Sequence, residues 1–159
     1  MVAHITIESV RTKTDLEDTK GLFIAYAESL GVDLSFQDFQ VELDTLPGKY
    51  AAPTGELLLA RDVHGSPIGC VALRSMPQPG CCEMKRLYVH PAGRGQGLGR
   101  ILATAIIEAA MELTYCEIKL DTLPSMTAAV ALYQQLGFKP TDPYYHTPLP
   151  GTKFLARKL

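Results

Sequence analysis

Residues 82–113 read CEMKRLYVHPAGRGQGLGRILATAIIEAAMEL. CEMKRLYV has the length of a strand, and HP begins a turn. From Leu98 onward, Ile101, Leu102, Ala105, Ile106, Ala109 and Leu113 fall on one helical face. Between strand and helix, glycine stands at 93, 95, 97 and 99 and arginine at 94 and 100. A helix N-terminus presents unpaired N–H groups and about half a positive charge, which makes it a ready anion site. Glycine lets backbone come close to a ligand, and arginine adds paired phosphate donors. Strand, glycine turn and helix together predict a cradle for a diphosphate.

Two familiar cradles do not fit. A G-x-x-x-x-G-K-[ST] loop needs a lysine, and none follows these glycines. A G-x-G-x-x-G fingerprint started at Gly93 or Gly95 meets Leu98 or Arg100 where its third glycine belongs.

The surroundings predict a layered fold. HITIESV (4–10) reads as a strand. TDLE (14–17) reads as a capping box that opens a helix through Leu16, Phe23, Ala27 and Leu30, ending at Gly31. A second helix runs from Ser35 through Phe36, Phe39 and Leu43 to Pro47-Gly48. ELLLARD (56–62) and PIGCVALR (67–74) form a hairpin, and EIKLDT (117–122) is a further strand. Pro124 suits the first turn of a last helix, whose inner stripe is Met126, Ala129, Val130, Tyr133 and Leu136. TKFLARKL ends the chain as a strand, with one more short strand expected near Tyr144. The reading is an α/β (α+β) fold in one domain over 1–159: a mixed, mostly antiparallel sheet of six to seven strands flanked by four helices. Its parallel crossover joins 82–89 to 117–122.

The 159 residues carry a net charge of −2, which argues against nucleic-acid binding through a basic footprint. No apolar run approaches the ~18 residues of a membrane span, and MVAHITIESV lacks the features of a signal peptide. The expectation is a cytoplasmic protein without a membrane partner. Its cysteines (70, 81, 82, 116) are expected to be reduced thiols, and its histidines (4, 64, 90, 146) have no metal-ligand spacing, so no metal is expected.

R-x-x-G-x-G (Arg94, Gly97, Gly99) and the later A-x-x-L-Y-x-x-L-G-F (Ala129 to Phe138) stand about 30 residues apart with a strand between them. On these motifs, from about Ile68 to Phe138, the chain resembles the GNAT superfamily of acetyl-CoA-dependent N-acetyltransferases. The resemblance implies acetyl-CoA as co-substrate. Its pyrophosphate would lie on the backbone of Gln96, Gly97, Leu98, Gly99 and Arg100, with Arg94 and Gly95 alongside. Its pantetheine arm would run along the main chain of Leu87, Tyr88 and Val89, the Leu87 amide polarising the thioester. Met126 stands where the family often has an asparagine on that arm; the contact is either lost, replaced by main chain or supplied by Ser125.

The resemblance also implies the proton carriers. Glu83 lies where several members keep a catalytic glutamate. Four residues before Leu87, it is about 13 Å away along a strand, so action through water is expected; a plain carboxylate, solvated or ion-paired with Lys85 or Arg86 nearby, is the alternative. Tyr133 matches the family tyrosine that serves as general acid; the alternative is a core tyrosine. The acceptor side draws on the first helices and the C-terminal loop. Tyr26, Tyr50 and Tyr145 are the expected substrate contacts, with Phe36, Phe39, Tyr144 and His146 near and Asp33, Glu42 and Asp44 supplying acid. Such walls suit a small cationic amine. Cys82 lacks an evident histidine partner and is set aside as a nucleophile. The expected function is direct transfer of acetyl to a small-molecule primary amine. Two alternatives stand: acetylation of a protein lysine or N-terminus, and a non-catalytic acetyl-CoA sensor. Homodimers are common among relatives, and the oligomeric state is left open.

Overall fold

The structure, a computed structural model, describes residues 4–159; residues 1–3 of the expected domain lie outside the described residues. The chain runs β1 (Thr6–Ser9), α1 (Lys13–Leu30), α2 (Phe39–Thr45), β2 (Glu56–Arg61), β3 (Pro67–Ser75), β4 (Cys81–Val89), α3 (Leu98–Glu112), β5 (Glu117–Thr122), α4 (Thr127–Gln135), β6 (Lys139–Pro140) and β7 (Lys153–Lys158). The strands form one seven-stranded sheet in the order β1-β2-β3-β4-β5-β7-β6. Every neighbouring pair is antiparallel except β4 with β5, which the α3 crossover joins in parallel.

Side chains alternate across a strand, so each central strand feeds two cores. Leu58, Val71, Leu73, Met84, Ile118 and Leu120 pack under α3 residues Leu98, Leu102 and Ile106 and α4 residue Tyr133. On the other face Leu57, Leu59, Cys70, Ala72 and Tyr88 pack under Leu22 and Phe23 of α1 and Leu43 of α2. The helices therefore form two layers with the sheet between them.

Several boundaries differ from the sequence expectation. The capping box of α1 is centred on Thr12, not Thr14: the Thr12 hydroxyl accepts from Asp15 N–H at 3.0 Å, and Asp15 Oδ2 accepts from Thr12 N–H at 3.4 Å. Asp15 is fixed there because Arg61 of β2 donates to its Oδ1 at 2.8 Å, a long-range contact that local pattern does not reveal. The second helix is split: Asp38, with φ 55°, separates a 3₁₀ turn at Ser35–Gln37 from α2. Pro124 serves a turn closed by Met126 N–H on Leu123 O at 3.0 Å, so α4 opens at Thr127 and Met126 sits at its N-cap rather than on its inner stripe. The additional short strand is Lys139–Pro140, not a segment near Tyr144.

Arg61, ahead of the other hydrogen bonds, holds the Asp15 carboxyl below the usual carboxylate range. A depressed carboxyl lends stability that is complete above its unfolded pKa of ~3.9 and lost as pH falls through the folded value. Asp15→Asn should therefore cost about 1 kcal/mol at pH 7. The difference from wild type should shrink in urea melts below pH 3–4 or so; a constant difference would contradict this role.

Two features of β4 make the site. Ala72 pairs with Lys85 and Cys70 with Tyr88, so Arg86 and Leu87 both stand opposite Val71 in a β-bulge, with Arg86 at φ 60°. Parallel pairing of β4 with β5 covers only Cys81–Glu117, Cys82–Ile118 and Glu83–Lys119. Beyond Glu83 the two strands part.

Candidate active site

The parting of β4 and β5 opens a cleft of about 630 Å³, open solvent included. Met84 to Leu87 line one wall and Leu120 to Leu123 the other; Tyr26 of α1, Tyr133 of α4, and Tyr145 and Thr152 of the C-terminal segment enclose it. The edge of β4 past Glu83 has no β5 partner, so its peptide groups on that side are available to a ligand.

The glycine turn follows the end of β4 and leads into α3. Gly95 and Gly97 have φ 80° and 72°, a region that L side chains enter only under strain. Gly93 is held for space: a Cβ there would lie 3.2 Å from Ile68 O. Gly97 provides no side-chain cap for α3, and the first intrahelical bond is Ile101 N–H to Gly97 O at 3.1 Å. The N–H groups of Leu98, Gly99 and Arg100 thus precede the ladder, with no acidic side chain in the first turn. Arg94 Nε donates to Val89 O at 3.2 Å, which holds its exposed guanidinium beside the end of β4. The Arg100 guanidinium is bonded to Gln135 Oε1 and ties α3 to α4.

Tyr133 lines the cleft with its ring edge-on to Phe138, centroids 5.8 Å apart. Its hydroxyl has no hydrogen-bond partner among the described residues, and burial pushes its pKa well above the usual phenol range. Met126 lines the cleft beside it; the Thr122 hydroxyl donates to Met126 Sδ at 3.7 Å.

Glu83 is 1% exposed and does not line the cleft. Arg74 Nε donates to its Oε1 at 2.8 Å and the Tyr144 hydroxyl to its Oε2 at 2.7 Å. Its cation is thus the cross-strand Arg74, not Lys85 or Arg86. Arg86 instead turns at the bulge to Glu42, with Nε–Oε2 at 2.9 Å and Nη2–Oε1 at 3.1 Å, and lies 5.2 Å from the Phe39 ring centroid.

Of the three expected substrate tyrosines, the fold brings Tyr26 and Tyr145 to the cleft but not Tyr50. Tyr50 is core: it packs edge-on against Phe23 and donates to Glu42 Oε1 at 2.9 Å. Burial pushes the Tyr26 phenol up to about 12. The expected acidic wall is corrected as well. Glu42 is spent on Arg86, Asp33 on Ser35 and Asp44 on Gln40, while the carboxylate that does face the cleft is Asp121, bonded by the Tyr145 hydroxyl. His146 does not line the cleft. Cys82 is buried with its thiol pushed up to about 12 by desolvation, a poor nucleophile. Among the described residues no His, Cys, Asp or Glu cluster could hold a metal ion, and no helix is long and apolar enough to cross a membrane.

Residues 21–138 match the Acetyltransferase (GNAT) family. Over 157 residues the chain is 45% identical to an uncharacterized N-acetyltransferase of Schizosaccharomyces pombe, covering 99% of this chain and 96% of that one. It is 31% identical over 128 residues to the N-acetylaspartate synthetase of Danio rerio, covering 79% of this chain and 45% of that protein. A crystal structure of an acetyltransferase of the GNAT family from Staphylococcus aureus superposes with a TM-score of 0.80 at 20% identity, covering 97% of this chain and 98% of that one.

Proposed function

The chain belongs to the acetyltransferase (GNAT) family, an acyltransferase acting on an amine with an acyl-CoA co-substrate, and on that premise we propose that it transfers acetyl from acetyl-CoA directly to the primary amine of a small molecule. The observation that carries the proposal is the parting of β4 from β5 past Glu83, on the strand whose far end leads through the glycine turn to the uncapped start of α3. The residues present fit the co-substrate. Free amides from Gln96 to Arg100, with Gly95 and Arg94 beside them, receive the diphosphate; the edge of Leu87, Tyr88 and Val89, which has no β5 partner and whose Val89 O accepts from Arg94 Nε, receives the pantetheine arm. Met126 gives that arm an apolar surface, with the Thr122 and Thr152 hydroxyls in the same cleft.

Bound acetyl-CoA supplies an activated acetyl group as a thioester. The Leu87 N–H, next to the bulge at Arg86, polarises the thioester carbonyl, an effect of a few kcal/mol for one oriented donor. The Tyr133 hydroxyl, held protonated by burial, gives its proton to the departing sulfur. An amine of pKa near 10.4 costs about 4.6 kcal/mol to present neutral at pH 7, so a base is needed. Glu83 fills that role indirectly, through water and the Tyr144 hydroxyl at its Oε2. Asp121 stands in the cleft where it attracts the entering ammonium group. Tyr26, with Tyr145 of the C-terminal loop, closes the cleft around a molecule of modest size, and the N-acetylaspartate synthetases among the relatives act, by name, on an acceptor of that size.

Thiol release from acetyl-CoA, measured with a panel of small amines beside lysine-bearing and free N-terminal peptides, tests the proposal. Small amines should be the better acceptors by kcat/KM. Preference for the peptides would move the acceptor to protein, and acetyl-CoA binding without turnover of any amine would leave a sensor.

A further inference from the structure

Lys85 is 8% exposed and lines the cleft, yet its ammonium has no carboxylate within ion-pair distance among the described residues. Its hydrogen-bond partner is the amide oxygen of Gln37, at 3.3 Å. A buried lysine is normally paired, because taking a lone charge out of water is costly. The acidic groups around it have other protein partners; that of Asp121 is an uncharged hydroxyl, so its charge still faces the cleft. Glu83 holds Arg74 and Tyr144, Glu42 holds Arg86 in a two-point pair, and Asp121 holds Tyr145. Arg74 and Arg86, the neighbouring cations, are thereby neutralised, while Lys85 is not. Burial lowers the pKa of Lys85, Glu83 and Asp121 raise it, and Arg86 and Arg74 lower it.

The register places this cation opposite an anion. Glu83 pairs with Lys119 across the last closed rung of the parallel ladder, so Lys85 and Asp121 occupy the next same-face position on either side of the opening. One wall of the acceptor cleft therefore offers a positive group and the other a negative one. We infer that the acceptor is an amino carboxylate, an amino acid in the simplest case, whose carboxylate is held by Lys85 with Gln37 and whose amino group lies on the Asp121 side. This rests on the acetyltransferase reading above and narrows its acceptor; it also replaces the expectation of a purely cationic amine. Lys85 is then a specificity-determining residue, and the ligand's carboxylate supplies the partner that the fold withholds.

Two measurements test it. First, turnover of the standard L-amino acids is compared with that of their carboxamides, which keep the amine and lose the charge. The best acid should exceed its amide by at least about 10-fold in kcat/KM, mainly through KM. In Lys85→Met, which keeps an unbranched side chain of similar length, that ratio should fall toward one, with a Tm increase on adding acetyl-CoA as the check that the variant is folded. Second, calorimetry titrates the same acids and amides into wild-type protein saturated with coenzyme A, and this reading needs no turnover. Heat from acids and none from amides supports the inference even if acetyl transfer is never seen. Amides turned over or bound as well as acids, no binding of any acid, or an acid preference that survives in Lys85→Met overturns it. Turnover of amines that lack a carboxylate in that event leaves the acetyltransferase reading standing.

Discussion

Tyr133→Phe is expected to lower kcat for acetyl transfer by about 10²- to 10⁴-fold, the usual contribution of a positioned proton donor. The substitution removes one oxygen. The edge-on packing against Phe138 remains, and no described protein group loses a hydrogen-bond partner, so the fold should be almost untouched. The loss should fall on kcat and kcat/KM alike, since the proton is needed after both substrates are bound. Burial holds the hydroxyl protonated well beyond neutrality, so its ionisation should impose no fall in the wild-type rate at mildly alkaline pH. Single-turnover rates with acetyl-CoA in excess give the cleanest comparison. A variant with the wild-type rate would return Tyr133 to the core.

Gly97→Asp is expected to raise the Kd for acetyl-CoA by at least about 100-fold while the protein stays folded. At φ 72° the backbone is one that aspartate tolerates better than most residues, and a Cβ there meets open space. The strain should cost about 1 kcal/mol. On the proposed reading, however, the new carboxylate stands where the diphosphate would sit. Two like charges ~4 Å apart interact by about 4 kcal/mol at an effective dielectric constant near 20. Gly97→Asn has the same shape without the charge, so it should bind far better than the aspartate variant. Equal affinity of both with wild type, measured by calorimetry, would remove the diphosphate from the start of α3.

The contrast between the turn and the acceptor end shows what the sequence could convey. The apolar face from Leu98 and the glycines before it are local, so the strand, the turn and α3 were all legible, and EIKLDT gave β5 at its observed bounds. The acceptor end depends on tertiary geometry. Strict alternation would put Lys85 and Arg86 on opposite faces of β4; the bulge defeats it and carries Arg86 to Glu42. Asp121 had a readable place in an alternating strand, but its exposure to a cleft follows from the parting of β4 and β5, which no local pattern encodes. Glu83 had Lys85 and Arg86 as sequence neighbours, yet its partner came from the adjacent strand by register. Tyr50 is one of the expected substrate tyrosines, but its hydroxyl finds its partner in Glu42 inside the core, a contact set by tertiary packing.

The most direct test of the account is thermal unfolding of the wild-type protein with acetyl-CoA, beside NAD and ATP as phosphate-bearing controls. At one hundred times Kd a ligand of the native state adds about 2.7 kcal/mol, which for a chain of this size shifts Tm by roughly 5 to 11 °C. The account predicts that shift with acetyl-CoA and little with the controls. No shift at millimolar acetyl-CoA, or an equal shift with ATP, would contradict it.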